Sequence, residues 1–315
     1  MIAILSGGVG AARFALGMSQ VVNPSEIAII SNVGDDEVLH GLHISPDIDT
    51  VIYTLGSAIN PETGWGLENE TWNTMDALAD YGGITWFRLG DRDLATHLFR
   101  TQLLGAGETL TQVTDKIRKR WNVQPRILPV TDDTLRTVIT SLIDGQEREL
   151  TFQEYFVKYA HQPVASRVTY QHSGQARITP NVREALESAD AIILAPSNPI
   201  LSIGPILAVP GISEILSRKR DRVIAISPII AGEAVKGPAA KLMAELGLTQ
   251  SAYGVAQYYK ELISAMVIDD KDSGLSDQIR RLGIRTVQTD TLMTSQAVSG
   301  NLASAALNTV LGGQA

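Results

Sequence analysis

Near the N-terminus Ser6-Gly7-Gly8-Val9-Gly10 follows an apolar run, Ile2 to Leu5, and precedes helical spacing from Ala11 to Ser19. A strand that turns on glycines into a helix suits phosphate. Glycine permits positive φ and a close ligand, and the helix start offers free N–H groups and partial positive charge. Gly7, Gly8 and Gly10 are therefore candidate phosphate contacts, with a tight ligand-free turn as the alternative. Arg13 could add charge to that phosphate or stand solvated. The run is a poor dinucleotide fingerprint, because Arg13 stands where the third glycine belongs and the second strand ends in Asn32, not an acid. No GK[ST] follows, so it is not Walker A either.

Short acids come next. Asp35-Asp36 follow Gly34 after a second apolar run, Ile27 to Ile30. Asp47 and Asp49 fall in the first turn of a helix that Ser45 caps and Pro46 opens, with Ile48, Val51, Ile52 and Leu55 as its apolar stripe. Hard oxygens beside a phosphate site suit Mg²⁺, so at least one acid is a candidate metal ligand or catalytic group. Asp47 has a sufficient local reason in the helix dipole; Asp49, slightly later, has less of one.

Two further loops could touch a ligand. In Trp86-Phe87-Arg88-Leu89-Gly90-Asp91-Arg92-Asp93, Arg88 could clamp an anion or stack on a ring, and Asp91 reads as the N-cap of the next helix. Pro196-Ser197-Asn198-Pro199 offers hydroxyl, amide and N–H groups, or simply an Asx-turn. His40 and His43 could share a helical face, but the five histidines are scattered and read as structural or solvated.

The elements that must position these residues alternate. Strands at 2–5, 27–30, 191–194, 223–226, 264–268 and 285–288, with helices between them, predict a Rossmann-like α/β fold: a parallel sheet flanked by helices. Further helices are expected at 71–81, 92–104, 109–121 and 297–311. Residues 125–175 change character. Alternating runs at 134–142 and 164–170, an Asp144-Gly145 turn and a Thr151/Glu154 capping box predict a small α+β insertion. The expected division is therefore 1–124 and 176–315 as the core, with 125–175 inserted. In such sheets ligands sit beyond the strand C-terminal ends, where the polar loops fall.

Composition narrows the function. The chain has 315 residues, 44% hydrophobic and 19% charged, which reads as an ordinary globular protein. A net charge of −8 argues against nucleic acid as a partner. With no cysteine, disulfides, thiol nucleophiles and iron–sulfur clusters are excluded. No apolar run is long enough to span a membrane and the N-terminus lacks a signal peptide's basic region, so a cytoplasmic location is expected.

The motifs stand in one order: SGGVG, NVGDD, GLHISPDIDT, Trp65-Gly66, WFRLGDRD, PSNP and Lys236-Gly237-Pro238. Together they closely resemble the 2-phospho-L-lactate transferase family of coenzyme F-420 biosynthesis, over nearly the whole chain. The resemblance implies transfer of a phospholactyl, phosphoenolpyruvyl or phosphoglyceryl group from a guanylyl diphosphate donor to the terminal ribityl hydroxyl of the deazaflavin Fo, releasing GMP. It implies Mg²⁺, a Rossmann-like core and a homodimer. Asp49 carries over to the deazaflavin site, as catalytic residue and, with Asp35, as metal ligand. Arg88 carries over as a second deazaflavin contact. Gly7, Gly8, Gly10, Asn32, Asp35, Ser197 and Asn198 would hold the substrates, mainly the guanine nucleotide. Val9 stands where the family usually has threonine, and Arg13 where lysine is usual; the backbone nest survives both changes. The competing expectations are a nucleotide-sugar-binding regulator of a related Rossmann-like family and, disfavoured by Arg13 and Asn32, a nicotinamide dehydrogenase.

Overall fold

Seven short apolar runs pair as one parallel sheet. They are β1 (Ile2–Ser6), β2 (Ile27–Ser31), β3 (Arg126–Pro129), β4 (Ala191–Leu194), β5 (Val223–Ile226), β6 (Ala265–Asp269) and β7 (Arg285–Thr289), in the spatial order β3-β2-β1-β4-β5-β6-β7. Every pairing is parallel. The computed structural model describes residues 1–235 and 237–312; Lys236, the first residue of one motif, lies outside them.

The sequence reason is plain in β1, where all five residues are buried. Helices cover both faces of a parallel sheet, so its strands are continuously apolar instead of alternating. Ile4 sits between Ile29 and Ile193, all fully buried, and each such side chain contributes about 1.5–3 kcal/mol by leaving water. The first three strands run outward from β1 in one direction, and β4 then starts the other half on its opposite side. That reversal opens a crevice between the loops after β1 and β4.

Four helices matter to this crevice: α1 (Gly8–Val21), α2 (Pro46–Leu55), α3 (Asn73–Asp80) and α4 (Asp93–Gly105). The first buries Ala11, Ala12, Phe14, Ala15 and Met18, and packs beside α2 and the last helix, Gln296–Leu311.

The stretch 125–175 divides its allegiance. Arg126–Pro129 is the edge strand β3 of the main sheet. Beyond it, Arg136–Ile143 is the centre of a three-stranded antiparallel sheet between Gln146–Thr151 and Val164–Gln171. Asp144 and Gly145 both take positive φ, 51° and 77°, as a two-residue hairpin turn demands. Thr151 and Glu154 form the reciprocal cap that their spacing predicts.

One local expectation is overturned. His40 and His43 do not share a helical face: Glu37–Leu39 and Leu42–Ile44 form a hairpin, with His40 and Gly41 at φ 53° and 74° in its turn. A glycine after a residue that tolerates left-handed backbone favours the turn over a helix. Among the described residues, no single helix is long and apolar enough to cross a membrane.

Candidate active site

A cavity of about 430 Å³ lies over the crevice. Its wall is built from the turn after β1, the first turn of α2, the start of α4 and the 196–202 loop, with Phe152, Gln153 and Phe156 reaching in from the insertion. Of the residues singled out in the sequence, Gly7, Gly8, Gly10, Asp35, Asp49, Arg88, Ser197 and Asn198 all line this one space, and Asn32 stands behind it.

The glycine turn is tighter than its sequence suggests. Helix α1 already begins at Gly8, which alone takes positive φ (73°); Gly7 is extended and Gly10 lies inside the helix. A Cβ on Gly10 would stand 2.4 Å from the Pro196 carbonyl oxygen, so that glycine lets one loop close on the other. Ser197 Oγ fastens the same contact by donating to the Gly7 carbonyl at 2.8 Å. Asn198 turns inward: its Oδ1 accepts from the N–H groups of Ile200 (2.9 Å) and Leu201 (3.1 Å), the Asx-turn alternative.

Asp47 occupies the mouth of α1. Its carboxylate accepts from the Gly8 N–H and from Asn32 Nδ2 at 3.0 Å. Asn32 Nδ2 also donates to Asp35 Oδ1 at 3.2 Å, while its Oδ1 accepts from the Gly34 N–H at 2.7 Å. Burial pushes the Asp47 carboxyl up to about 6 against the pull of Asn32 and Gly8. Burial, then the neighbouring Asp47 charge, holds Asp35 well above the ordinary carboxylate range. The two acids therefore titrate as an interacting pair. From the insertion, Gln153 Nε2 donates to the Asp35 carbonyl at 2.9 Å and the Thr137 N–H to that of Gly34 at 2.7 Å, which fixes the loop carrying them.

Across the cavity the chemistry differs. Asp49 is 4% exposed, and Arg100, fully buried, donates through Nη2 to its Oδ1. Arg100 Nη1 lies 3.2 Å from His97 Nδ1 and 3.3 Å from the His43 carbonyl oxygen. His97 Nε2 faces Asp93 Oδ2 at 3.5 Å, and the Tyr53 hydroxyl donates to Asp93 Oδ1 at 2.5 Å. Asp49 Oδ2, buried and 3.8 Å from His97 Nδ1, has no hydrogen-bond partner. Burial raises the Asp49 carboxyl, with Arg100 and then His97 opposing it. At Asp93 burial also pushes upward, but the nearby His97 and the Tyr53 hydroxyl outweigh it and leave that carboxyl below the usual range.

Asp49, Asp93 and His97 bring ligand atoms within 4.8 Å of one another and could hold a metal ion. For Mg²⁺, which takes oxygen ligands, the unpartnered Asp49 Oδ2 fits; the imidazole, a nitrogen donor, does not. Asp35 is not among the three, and burial with the neighbouring Asp47 charge raises its carboxyl, which opposes the ionised form a metal takes.

Asp93, His97 and Arg100 were not singled out in the sequence, yet their signal was there: positions i, i+4 and i+7 put three polar groups on one face of the helix expected at 92–104. Asp91 does not cap α4 as its position suggested. It accepts from the N–H groups of Asn73 (2.9 Å) and Thr74 (3.0 Å) at the start of α3, while Glu70 accepts from those of Arg92 and Asp93, both at 2.8 Å. The 70–72 and 90–92 segments lie side by side through the Asp91 N–H to Thr71 carbonyl bond (2.9 Å), so each carboxylate reaches the neighbouring helix. Arg88 stacks over the Trp72 ring at 4.6 Å and reaches Asp76 at 3.3 Å.

Crevices at such strand-order reversals are where α/β enzymes take small ligands, and this one holds buried ionisable groups short of partners. In class the molecule is a Rossmann-like enzyme acting on a small molecule. The chain belongs to the 2-phospho-L-lactate transferase CofD family, whose sequence model matches residues 2–304, and it is a transferase. It is 42% identical over 308 residues to the phosphoenolpyruvate transferase of Streptomyces griseus, covering 97% of both chains. It is 40% identical over 318 residues to that of Mycolicibacterium smegmatis, covering 96% of this chain and 97% of the other. The crystal structure of a UPF0052 family member from Bacillus halodurans has the same fold, with a TM-score of 0.62 at 15% identity, covering 97% of this chain and 98% of that one.

Proposed function

We propose that this transferase moves a phosphoenolpyruvyl-type group from a guanylyl diphosphate donor to the terminal ribityl hydroxyl of the deazaflavin Fo, with release of GMP, in coenzyme F-420 biosynthesis. Among the three-carbon acids, the names of the Streptomyces and Mycolicibacterium relatives favour phosphoenolpyruvate. The observation that carries the reading is the single cavity joining the start of α1 to the free oxygen of Asp49.

The chemistry asks little covalent help of the protein. The alcohol oxygen forms a bond to the phosphorus that bears the acid, and the anhydride bond to GMP breaks. What is needed is an in-line nucleophile and neutralised charge. Asp49 Oδ2 orients the ribityl hydroxyl and takes its proton. The N–H groups at the start of α1 face the diphosphate. Arg88, on its Trp72 stack, meets the deazaflavin. Mg²⁺, held by Asp35 on the facing wall and by Asp49 beside the hydroxyl, would supply positive charge against the diphosphate oxygens. Ser197 and Asn198 shape the nucleotide side through the loop they stiffen. The family likeness also supports a cytoplasmic homodimer.

Incubating the protein with Fo, the enolpyruvyl guanylyl diphosphate and Mg²⁺ should yield GMP and a phosphoenolpyruvyl deazaflavin by mass spectrometry. Unchanged Fo, with the phospholactyl donor also unreactive, overturns the reading.

A further inference from the structure

We propose that Arg100 is the positioning residue for Asp49: a buried guanidinium that pins one carboxylate oxygen so that the other faces the cavity. This rests on the reading of Asp49 as the group that receives the alcohol's proton.

Arg100 is fully buried on α4, and its planar fork meets three acceptors: Asp49 Oδ1, His97 Nδ1 at 3.2 Å and the His43 carbonyl oxygen at 3.3 Å. A rigid fork with its acceptors set by two elements cannot swing, so the bond to Asp49 has a fixed direction. Since Arg100 is always a donor, His97 Nδ1 must accept, which assigns the ring proton to Nε2. That proton faces Asp93 Oδ2 at 3.5 Å, and Tyr53 holds the other oxygen of Asp93 at 2.5 Å.

The series closes on itself. Tyr53 lies one turn beyond Asp49 on α2, while Asp93, His97 and Arg100 share a face of α4. Two hydrogen bonds, Arg100 to Asp49 and Tyr53 to Asp93, tie α2 to α4, with His97 between them approaching Asp93 at 3.5 Å. Asp49 Oδ2 is the one carboxylate oxygen in this series that is buried without a partner. A buried acceptor left bare is rare unless a ligand atom meets it. Without Arg100 the carboxylate could rotate, and its two oxygens would compete for the same hydroxyl.

The test uses the full chain with Arg100→Lys, Arg100→Ala, Asp49→Asn and the Arg100→Lys/Asp49→Asn double variant. A lysine keeps the charge but cannot serve all three acceptors. Arg100→Lys is expected to fold with a lowered unfolding temperature and, assayed where it is fully folded, to lose about 10²-fold in kcat, with the donor KM moved less than about threefold. Methylguanidinium should restore turnover to Arg100→Ala, but not to Asp49→Asn. In the Asp49→Asn background the Arg100 change should cost nothing more, because the two act as one unit. Normal kcat in Arg100→Lys, or losses that multiply in the double variant, overturns the positioning role while the reading of Asp49 stands. Full turnover in Asp49→Asn overturns that reading, and the positioning role falls with it. If Arg100→Ala does not fold, the lysine variant decides.

Discussion

The two acidic walls of the cavity are built from the same residue type and behave oppositely. On the side of α1, Asn32 bridges Asp35 and Asp47, the Gly8 N–H caps the pair, and the insertion holds the loop from behind. On the side of α4, Asp49 Oδ2, His97 Nε2 and Arg100 Nε are buried without partners. A network whose members are satisfied stiffens a scaffold; one with bare atoms is held in readiness for something else. Burial alone thus does not mark a reacting carboxylate, whereas burial with an unmet valence on the cavity wall does.

The largest effect expected from breaking this contrast is on chemistry. Asp49→Asn should raise the barrier by about 2.7–4 kcal/mol, seen as a fall in kcat measured well below the unfolding temperature, which also drops as Arg100 loses its counter-charge. Wild-type turnover would place the reacting group elsewhere. Gly10→Ala attacks the other wall: its Cβ would meet the Pro196 carbonyl at 2.4 Å. A loss of about 1–3 kcal/mol in urea unfolding, with weaker guanine-nucleotide binding, is expected. No change in either would mean the loops need not touch.

Asp36 sharpens the contrast through pH. Burial raises its carboxyl from 3.8 to about 8, and its Oδ1 has no partner. The unfolded chain gives up that proton near its ordinary value and the folded chain only near 8, so between them the unfolded state binds fewer protons. The contribution to stability is whole below the ordinary value and is lost as pH rises through the folded one. In metal-free protein Asp36→Asn should flatten that slope and gain about 1–3 kcal/mol on wild type at alkaline pH. Parallel slopes in denaturant titrations at pH 5 and 9 would refute it. The smallest effect should come from Glu70→Ala, which uncaps α4. About 1 kcal/mol of stability should go, with kcat reduced less than in any Arg100 variant.

The sequence made the sheet legible because buried parallel strands are apolar without interruption, and β1 and β4 announce themselves that way. The cap at Thr151 was readable for a similar reason, being a local rule three residues wide. What escaped was long-range. Nothing near Arg100 in the chain says that it lies against Asp49, fifty-one positions away. Asp91 and Glu70 exchanged helices because two segments distant in sequence run side by side. The glycines signalled a close approach correctly, but the partner at Gly10 is the chain's own Pro196.

That exchange of caps has a practical outcome. Glu70 and Asp91 clasp the base of the 73–90 excursion, and Tyr81 beyond α3 is 90% exposed. A fluorophore, an affinity tag or a tether to a neighbouring pathway enzyme spliced beside Tyr81 should therefore leave Asp93 where it stands.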